Sequence, residues 1–291
     1  MQQLRKGIYY EDQYQGVTIG GLVFPHGTIY IDSPLRMEDA RSWRAALMAQ
    51  RSGSHRVVVC LDAHPDRTLG ARALDCMIIA HQKAAQVFRN RPTIFKGQLI
   101  ESGAAWENYN EAIGLRWSTP DITFSQSMSL SWGGPEIILE HHPGPSIGAL
   151  WLIIPDEKII FTGDTVTVDQ PPFLAHADIS EWLNALSLLQ KTYKDFTIVA
   201  GRGGLASTET IRSMITGLKN TIKGLERLSK KRSPPEETEK LIESLMDDFN
   251  VPSNMRDRHY LRLQYGLFQN YARRYRPSNS LETITSDESD Q

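Results

Sequence analysis

Asp62, His64 and Asp66 alternate along a short stretch, Asp62-Ala63-His64-Pro65-Asp66-Arg67, that follows directly on the apolar run Val57-Val58-Val59-Cys60-Leu61. Carboxylates and imidazoles are the common oxygen and nitrogen donors to divalent ions and the common carriers of protons. Alternate residues of an extended segment project to one side, where such groups can converge. The preceding apolar run fits a strand buried on both faces, and α/β folds place their chemistry at the carboxyl ends of such strands. By itself the cluster fits a second reading equally well: a loop whose aspartates cap the next helix and whose histidine lies on the surface.

Further along the chain stand His142-Pro143-Gly144-Pro145-Ser146-Ile147-Gly148, then Phe161-Thr162-Gly163-Asp164, then Ala200-Gly201-Arg202-Gly203. Upstream, Gly27-Thr28-Ile29-Tyr30-Ile31-Asp32 has the form of a strand that ends in an aspartate. These motifs, in this order and with Gly70 after the first cluster, resemble the metallo-β-lactamase superfamily over residues 7 to about 206. The resemblance implies an α/β fold, an αββα sandwich of two mixed β-sheets flanked by helices, with loops that hold two metals between the sheet edges.

Carried over position by position, the first histidine of the family's HxHxDH motif is Asp62, the second is His64, the aspartate is Asp66 and the last histidine is Arg67. The histidine of the PGHT motif falls on Pro145, the bridging aspartate of the GD motif on Asp164, and the histidine of the closing PGHG motif on Arg202. Both arginines fall on ligands of the second metal, and a guanidinium stays protonated and so is no practical ligand. The resemblance therefore implies at most one divalent ion (zinc, manganese or iron), held by Asp62, His64 and Asp164, with His141 or His142 as a fourth ligand. Arg67 and Arg202 are expected to stand in for the second ion's charge by pairing with Asp66 and Asp164.

Three functions stay open on these residues. With one metal bound, the family implies a hydrolase of a small ester, thioester, lactone or amide, with His64, Asp66 and Asp164 as the catalytic groups. Without metal, the cleft becomes a pocket that binds or transforms a small anionic ligand through Arg67, Arg202, His64, His142 and His176. His176 enters through Pro171-Pro172-Phe173-Leu174-Ala175-His176, where the family often has a substrate-facing loop. The third function is a non-catalytic interaction role.

The elements that must position these groups follow from the apolar pattern. A hairpin is predicted over 16–24 and 28–31, turning at Pro25-His26-Gly27, with a helix from Met37 to Met48 behind it. Strands are predicted at 55–61, 77–80, 122–124, 136–140, 149–154, 158–162 and 196–200, and a helix from Ser180 to Leu189. Residues 90 to 120 read as loops and helix. From Ser207 the period is helical, with Ile211, Met214, Ile215, Leu218, Ile222, Leu225 and Leu228 on one face. Ser233-Pro234-Pro235-Glu236 reads as a capping box that starts another helix, and Met255 to Arg274 as the last one. Lys230-Lys231-Arg232 reads as the solvated end of the first of these helices. The expected organisation is a domain over 1–206, a C-terminal helical extension over 207–277 that offers a homodimer contact, and a disordered acidic tail over 278–291.

Composition narrows the function classes. Of 291 residues, 40% are hydrophobic and 23% charged, as in an ordinary globular chain. Lysine plus arginine number 32 against 34 acidic residues, and the net charge of -2 supplies no general attraction to nucleic acid or to an anionic membrane. Between Asp164 and Arg202 lie only 37 residues, too few for the large inserted domain of the family's nucleic-acid-processing members. The amino terminus has no signal-peptide pattern and the chain has no long apolar run, so a cytoplasmic protein with no membrane partner is expected. Cys60 and Cys76 lack the spacing of a disulfide framework or a zinc knot and read as reduced thiols.

Overall fold

The computed structural model describes residues 1–50, 53–96 and 100–276. Two mixed sheets stack face to face between helical layers, as expected. The first runs β1 (Gln2–Arg5), β2 (Ile8–Glu11), β3 (Ile19–Phe24), β4 (Gly27–Ile31), β5 (His55–Val59), β6 (Met77–His81) and β7 (Ile122–Phe124), each strand beside the next. Its pairs are antiparallel up to β4 and parallel from β4 onward. In the second sheet the order is β13 (Leu205–Ala206), β12 (Thr197–Val199), β11 (Ile159–Phe161), β10 (Leu150–Ile154), β9 (Ile137–His141) and β8 (Ser127–Leu130), with one parallel pair, β11 and β12.

Alternation along the strands assigns each side chain to a layer. Ile29 and Ile31, Val57 and Val59, and Leu150, Leu152 and Ile154 face the space between the sheets. Tyr30, Val58 and Ile78 point outward and pack beneath α1 (Met37–Met48) and α3 (Gln82–Asn90), where Trp43, Leu47 and Phe88 meet them. On the far side, Trp151, Ile153 and Ile160 pack under α4 (Ile179–Thr192), α5 (Thr208–Lys230), α6 (Ile242–Asp248) and α7 (Arg256–Tyr275). A short α2 (Pro65–Thr68) follows β5 and carries part of the site.

The helices beyond Ser207 share one core with the second sheet, because Met214, Leu218, Leu245, Leu263 and Tyr271 all belong to the cluster around Trp151 and Trp182. Much of the apolar stripe of α7 is buried within the chain as packing, with Leu261 among the residues left exposed. Four strands escape the sequence reading, one of them the two-residue Leu205–Ala206. Gln2–Arg5 and Ser127–Leu130 each alternate too weakly to register, and Ile8–Glu11 reads as a continuation of the polar amino terminus. The capping box at Ser233 does not form. The chain enters a 3-10 turn over Pro235–Leu241 with Pro234 at the cap and no side-chain bond there. Ser233 instead offers its carbonyl to the Tyr271 hydroxyl at 2.8 Å. Cys60 is buried and Cys76 half-buried, both as free thiols. Among the described residues no helix is long and apolar enough to cross a membrane. The expected tail over 278–291 lies outside the described residues.

Candidate functional site

Four chain segments converge at the carboxyl ends of the central strands. The turn after β4 brings Asp32, the loop after β5 brings Asp62 and His64, α2 brings Asp66 and Arg67, and the turns after β11 and β12 bring Asp164 and Arg202. The last two are held together by glycine. Gly163 adopts a φ of +54°, and a Cβ on Gly201 would lie 2.3 Å from the Gly163 carbonyl carbon. The Gly201 amide donates to the Gly163 carbonyl at 2.8 Å, so the two loops touch backbone to backbone. Only a residue without a side chain permits that approach.

The result is a buried network of two guanidiniums and four carboxylates. Arg202 grips Asp164 with two bonds, Nε to Oδ1 at 2.9 Å and Nη2 to Oδ2 at 3.0 Å, and reaches Asp66 Oδ2 with Nη1 at 2.8 Å. The same Nη1 donates to the Gly16 carbonyl. Arg67 donates to Asp32 Oδ2 at 2.6 Å and to Asp164 Oδ1, and its Nε lies 3.2 Å from Asp62 Oδ1. Asp66 also accepts from the Trp106 amide at 2.9 Å, Asp32 from the Leu61 amide at 2.8 Å, and Asp62 from the His64 amide at 2.7 Å. Both arginines therefore point into the carboxylate cluster. Arg202 joins Asp66 to Asp164, whereas Arg67 joins Asp164 to Asp32 and Asp62 and does not touch Asp66.

Electrostatics follow from this geometry. Burial opposes the charge on Asp164, but Arg202 and Arg67 overcome it and hold the carboxyl well below its ordinary range. Burial pushes Asp32 up to about 7 against the pull of Arg67, with Asp62 adding to the rise. Asp62 is likewise raised by burial despite Arg67. Arg67 and Arg202 are both held more firmly protonated, as the carboxylates around them outweigh desolvation. Burial drops His64 to about 3 against the pull of Asp66, with Arg202 and Arg67 opposing protonation further. Its Nδ1 faces two N–H donors, Arg202 Nη2 at 3.2 Å and the Asp66 amide at 3.4 Å. That nitrogen accepts, so the proton sits on Nε2.

The superfamily usually binds metals, and this donor set does not fit one. Asp164, the expected bridging ligand, has both oxygens on guanidinium donors, Asp62 has one oxygen between an amide and Arg67, and His64 turns its unprotonated nitrogen toward Arg202. An ion placed among them would face two fixed cations. Among the described residues no group of three or more His, Cys, Asp or Glu side chains is arranged to hold a metal. The single ion expected from Asp62, His64 and Asp164 would have to displace these guanidinium contacts. The two histidines expected to offer a fourth ligand are engaged elsewhere. His141 stacks on His81 at 3.6 Å, and His142 stacks on Trp151 at 3.6 Å while bonding Glu140 at 3.1 Å. Burial lowers the pKa of His142. His81 caps α3 and bonds the Ser125 carbonyl at 2.8 Å, a structural role.

Above the network opens a cavity of about 690 Å³, within the roughly 300–1,000 Å³ of small-molecule sites. Asp62, His64, Asp164 and His176 line it, whereas Arg67, Arg202, Asp66 and His142 do not. The anion-contacting positions expected at Arg67, Arg202 and His142 are thus displaced from the cavity wall, because carboxylates and stacking already occupy these side chains. His176 remains at the wall, neutral in tendency through burial and the nearby Arg273. The sequence reading missed Arg91, Arg262 and Arg273, and the aromatic residues Trp106, Trp117 and Phe173, all of which line the same cavity. A signal for Arg262 was present. In α7 the buried positions are His259, Arg262, Leu263, Gly266, Leu267, Asn270 and Tyr271, so polar residues occupy the helix's buried stripe.

A metallo-beta-lactamase superfamily domain model matches residues 63–202, the span from the first motif to the closing arginine. No curated protein matches the chain. Among solved structures, a metallo-beta-lactamase from Pontibacter korlensis superposes with a TM-score of 0.59 at 18% identity, covering 75% of this chain and 97% of its own. TMB-1 is similar at a TM-score of 0.58 and 16% identity, covering 76% of this chain and 97% of its own. A stereoselective inverting sec-alkylsulfatase, Pisa1 from Pseudomonas sp., reaches a TM-score of 0.64 at 14% identity over 94% of this chain, which spans 49% of the sulfatase. At such identities the superpositions bear on the fold alone. With the motif order, the matched domain and the double-sheet sandwich in agreement, the chain is a member of the metallo-β-lactamase superfamily.

Proposed function

We propose that this member has exchanged metal-dependent hydrolysis for metal-independent binding of a small molecule in the retained cleft. The superfamily is typically hydrolytic, so the exchange needs a specific reason, and the arginine network supplies it. One observation carries the reading: both oxygens of Asp164 accept from guanidiniums, and Arg202 extends from there to Asp66 and to His64 Nδ1.

The same contacts argue against metal-free acid–base catalysis. A general base needs a free lone pair and a pKa near the working pH. His64 has its accepting nitrogen beside Arg202 and a pKa of about 3. Asp66 accepts from Arg202 and the Trp106 amide and is fully buried. What His64 presents to the cavity is a neutral ring with an N–H donor, a group that orients a ligand without taking its proton. The pocket that remains is partly apolar with a few polar groups, the usual character of a small-molecule site.

Metal analysis tests the reading. Protein produced with zinc, manganese and iron supplied, and desalted without chelator, is expected to carry no stoichiometric metal by plasma mass spectrometry. Its thermal unfolding should not shift when zinc is added. Stoichiometric metal that disappears in Asp164→Asn would overturn the proposal and restore the one-metal hydrolase.

A further inference from the structure

Charge accounting around the cavity separates groups already satisfied from groups still in need of a partner. Asp62 and Asp164 are engaged by Arg67 and Arg202. Glu107 accepts from the Ser102 hydroxyl and from the backbone amides of Glu101, Ser102 and Ala104. Two cations differ. Arg262 is 5% exposed, and among the described residues no carboxylate lies within ion-pair distance of it. Its Nη1 donates to Gln170 Oε1 at 2.9 Å and to the Pro171 carbonyl at 3.0 Å, but its buried Nε has no partner. Arg91 donates to the Ala63 carbonyl through Nη2, while its Nη1 is buried and unpartnered. Neutral carbonyls and aromatic faces, Phe173 at 4.2 Å from Arg262 and Trp117 at 4.6 Å from Arg91, are what these guanidiniums have instead of a counter-ion.

A desolvated cation without a counter-ion is costly, and the cost shows. Burial drops Arg262 to about 9, with Arg202 adding repulsion against the more distant pull of Asp66 and Asp164, and burial drops Arg91 to about 10 against the pull of Asp62. An anionic ligand relieves both, since charge-assisted hydrogen bonds are stronger than the neutral ones these groups now make. The wall also carries Trp106, Trp117, Phe173 and Ile147, surfaces for an apolar body.

Resting on the metal-independent reading above, we propose that the cavity binds an amphipathic organic anion, a carboxylate or sulfonate-type head on an aryl or alkyl body. Arg262 holds the head with Arg91 as second cation, and the body lies along the aromatic wall. The C-terminal helix then has a binding role, because Arg262 belongs to α7.

The test compares two dyes that differ by the acid group, anilinonaphthalene sulfonate and the neutral N-phenylnaphthylamine, by fluorescence titration of the full chain. The sulfonate is expected to bind at least about tenfold more tightly. Decanoate should displace it and decanol should not. Arg262→Gln is expected to remove the preference while the neutral dye still binds with its original strength, which also reports an intact pocket. Should that variant fail to bind the neutral dye, Arg91→Gln gives the same reading from the second cation. Equal binding of both dyes by the wild type, or a preference that survives both substitutions, overturns the inference. Every titration is repeated after exhaustive chelation. A preference present before chelation and lost after it places the anion on a metal and overturns the metal-independent reading. A preference absent in both states overturns this inference alone.

Discussion

Arg202→Met removes the centre of the buried network while keeping an unbranched side chain of comparable length. Lost with the guanidinium are its paired bonds to Asp164 at 2.9 and 3.0 Å, its bond to Asp66 at 2.8 Å, and its contact with the Gly16 carbonyl. Asp164 retains Arg67, whereas Asp66 retains only the Trp106 amide at 2.9 Å. Asp66 thus becomes a buried carboxylate without a counter-ion. Breaking one side of a buried pair costs about 3–5 kcal/mol, against a total stability of about 5–15 kcal/mol. With a urea m-value of about 3 kcal/mol/M, the unfolding midpoint should fall by about 1–1.7 M.

Two companion measurements separate this account from a plain loss of packing. Adding Asp66→Asn neutralises the stranded carboxylate, so the double variant should regain about half of what Arg202→Met lost. In Arg202→Met the His64 ring loses its cationic neighbour and gains an unpaired Asp66 oxygen 3.6 Å away, so its titration, followed by NMR, should move upward from about 3. A loss under about 1 kcal/mol, or an Asp66→Asn effect that adds to the damage, would refute the charge-replacement argument.

Two further outcomes follow from other contacts. His259 is buried near Arg262, Arg258 and Arg202, and burial depresses it to about 3. The folded state therefore favours the neutral ring, and the stability this contributes is present above the unfolded pKa near 6.5 and lost as pH falls below it. Between pH 7.5 and pH 5 the wild type should lose about 2 kcal/mol more than His259→Asn, read from urea midpoints at the two pH values. Gly201→Ala places a methyl 2.3 Å from the Gly163 carbonyl carbon and should separate the loops carrying Asp164 and Arg202. A loss of about 3 kcal/mol or more in thermal unfolding is expected, and an unchanged melting temperature would show that the loops yield without strain.

The fold was legible because its signals are local. Val57-Val58-Val59 and Leu150-Trp151-Leu152 announce buried strands by composition, and the motifs mark the strand ends in order. The location of the network was legible for the same reason, since Asp62, Asp66, Asp164 and their arginines each sit in a motif. Pairing was less so. Asp32 was visible as the end of a strand, but its bond to Arg67 spans 35 positions and depends on how α2 turns back over β4. The cavity cations were hidden for a different physical reason. Arg91 and Arg262 belong to no motif, and beyond the polar residues on the buried stripe of α7 their segments signal only helix or loop. Their meaning comes from what is missing around them, and the absence of a counter-ion is a property of three-dimensional packing.

The form of the substitution also explains why the site is built from arginine and not lysine. Two divalent ions would bring four positive charges to this cluster, and two guanidiniums bring half of that to Asp32, Asp62, Asp66 and Asp164. The deficit is visible where it should be, in the rise of Asp32 to about 7 and of Asp62 through burial. A charge so thinly spread must be placed by direction as well as by distance. The guanidinium fork does this: Arg202 meets both oxygens of Asp164 in parallel while a third nitrogen reaches Asp66. An ammonium has the charge but not the fixed plane, so lysine at this position would leave one carboxylate or the other short of a donor. On the reading proposed above, the geometry that lets arginine stand in for a metal also disarms the centre chemically. A guanidinium cannot exchange a ligand for water and hold it as an attacking hydroxide, and its N–H groups keep the lone pairs of His64, Asp66 and Asp164 engaged.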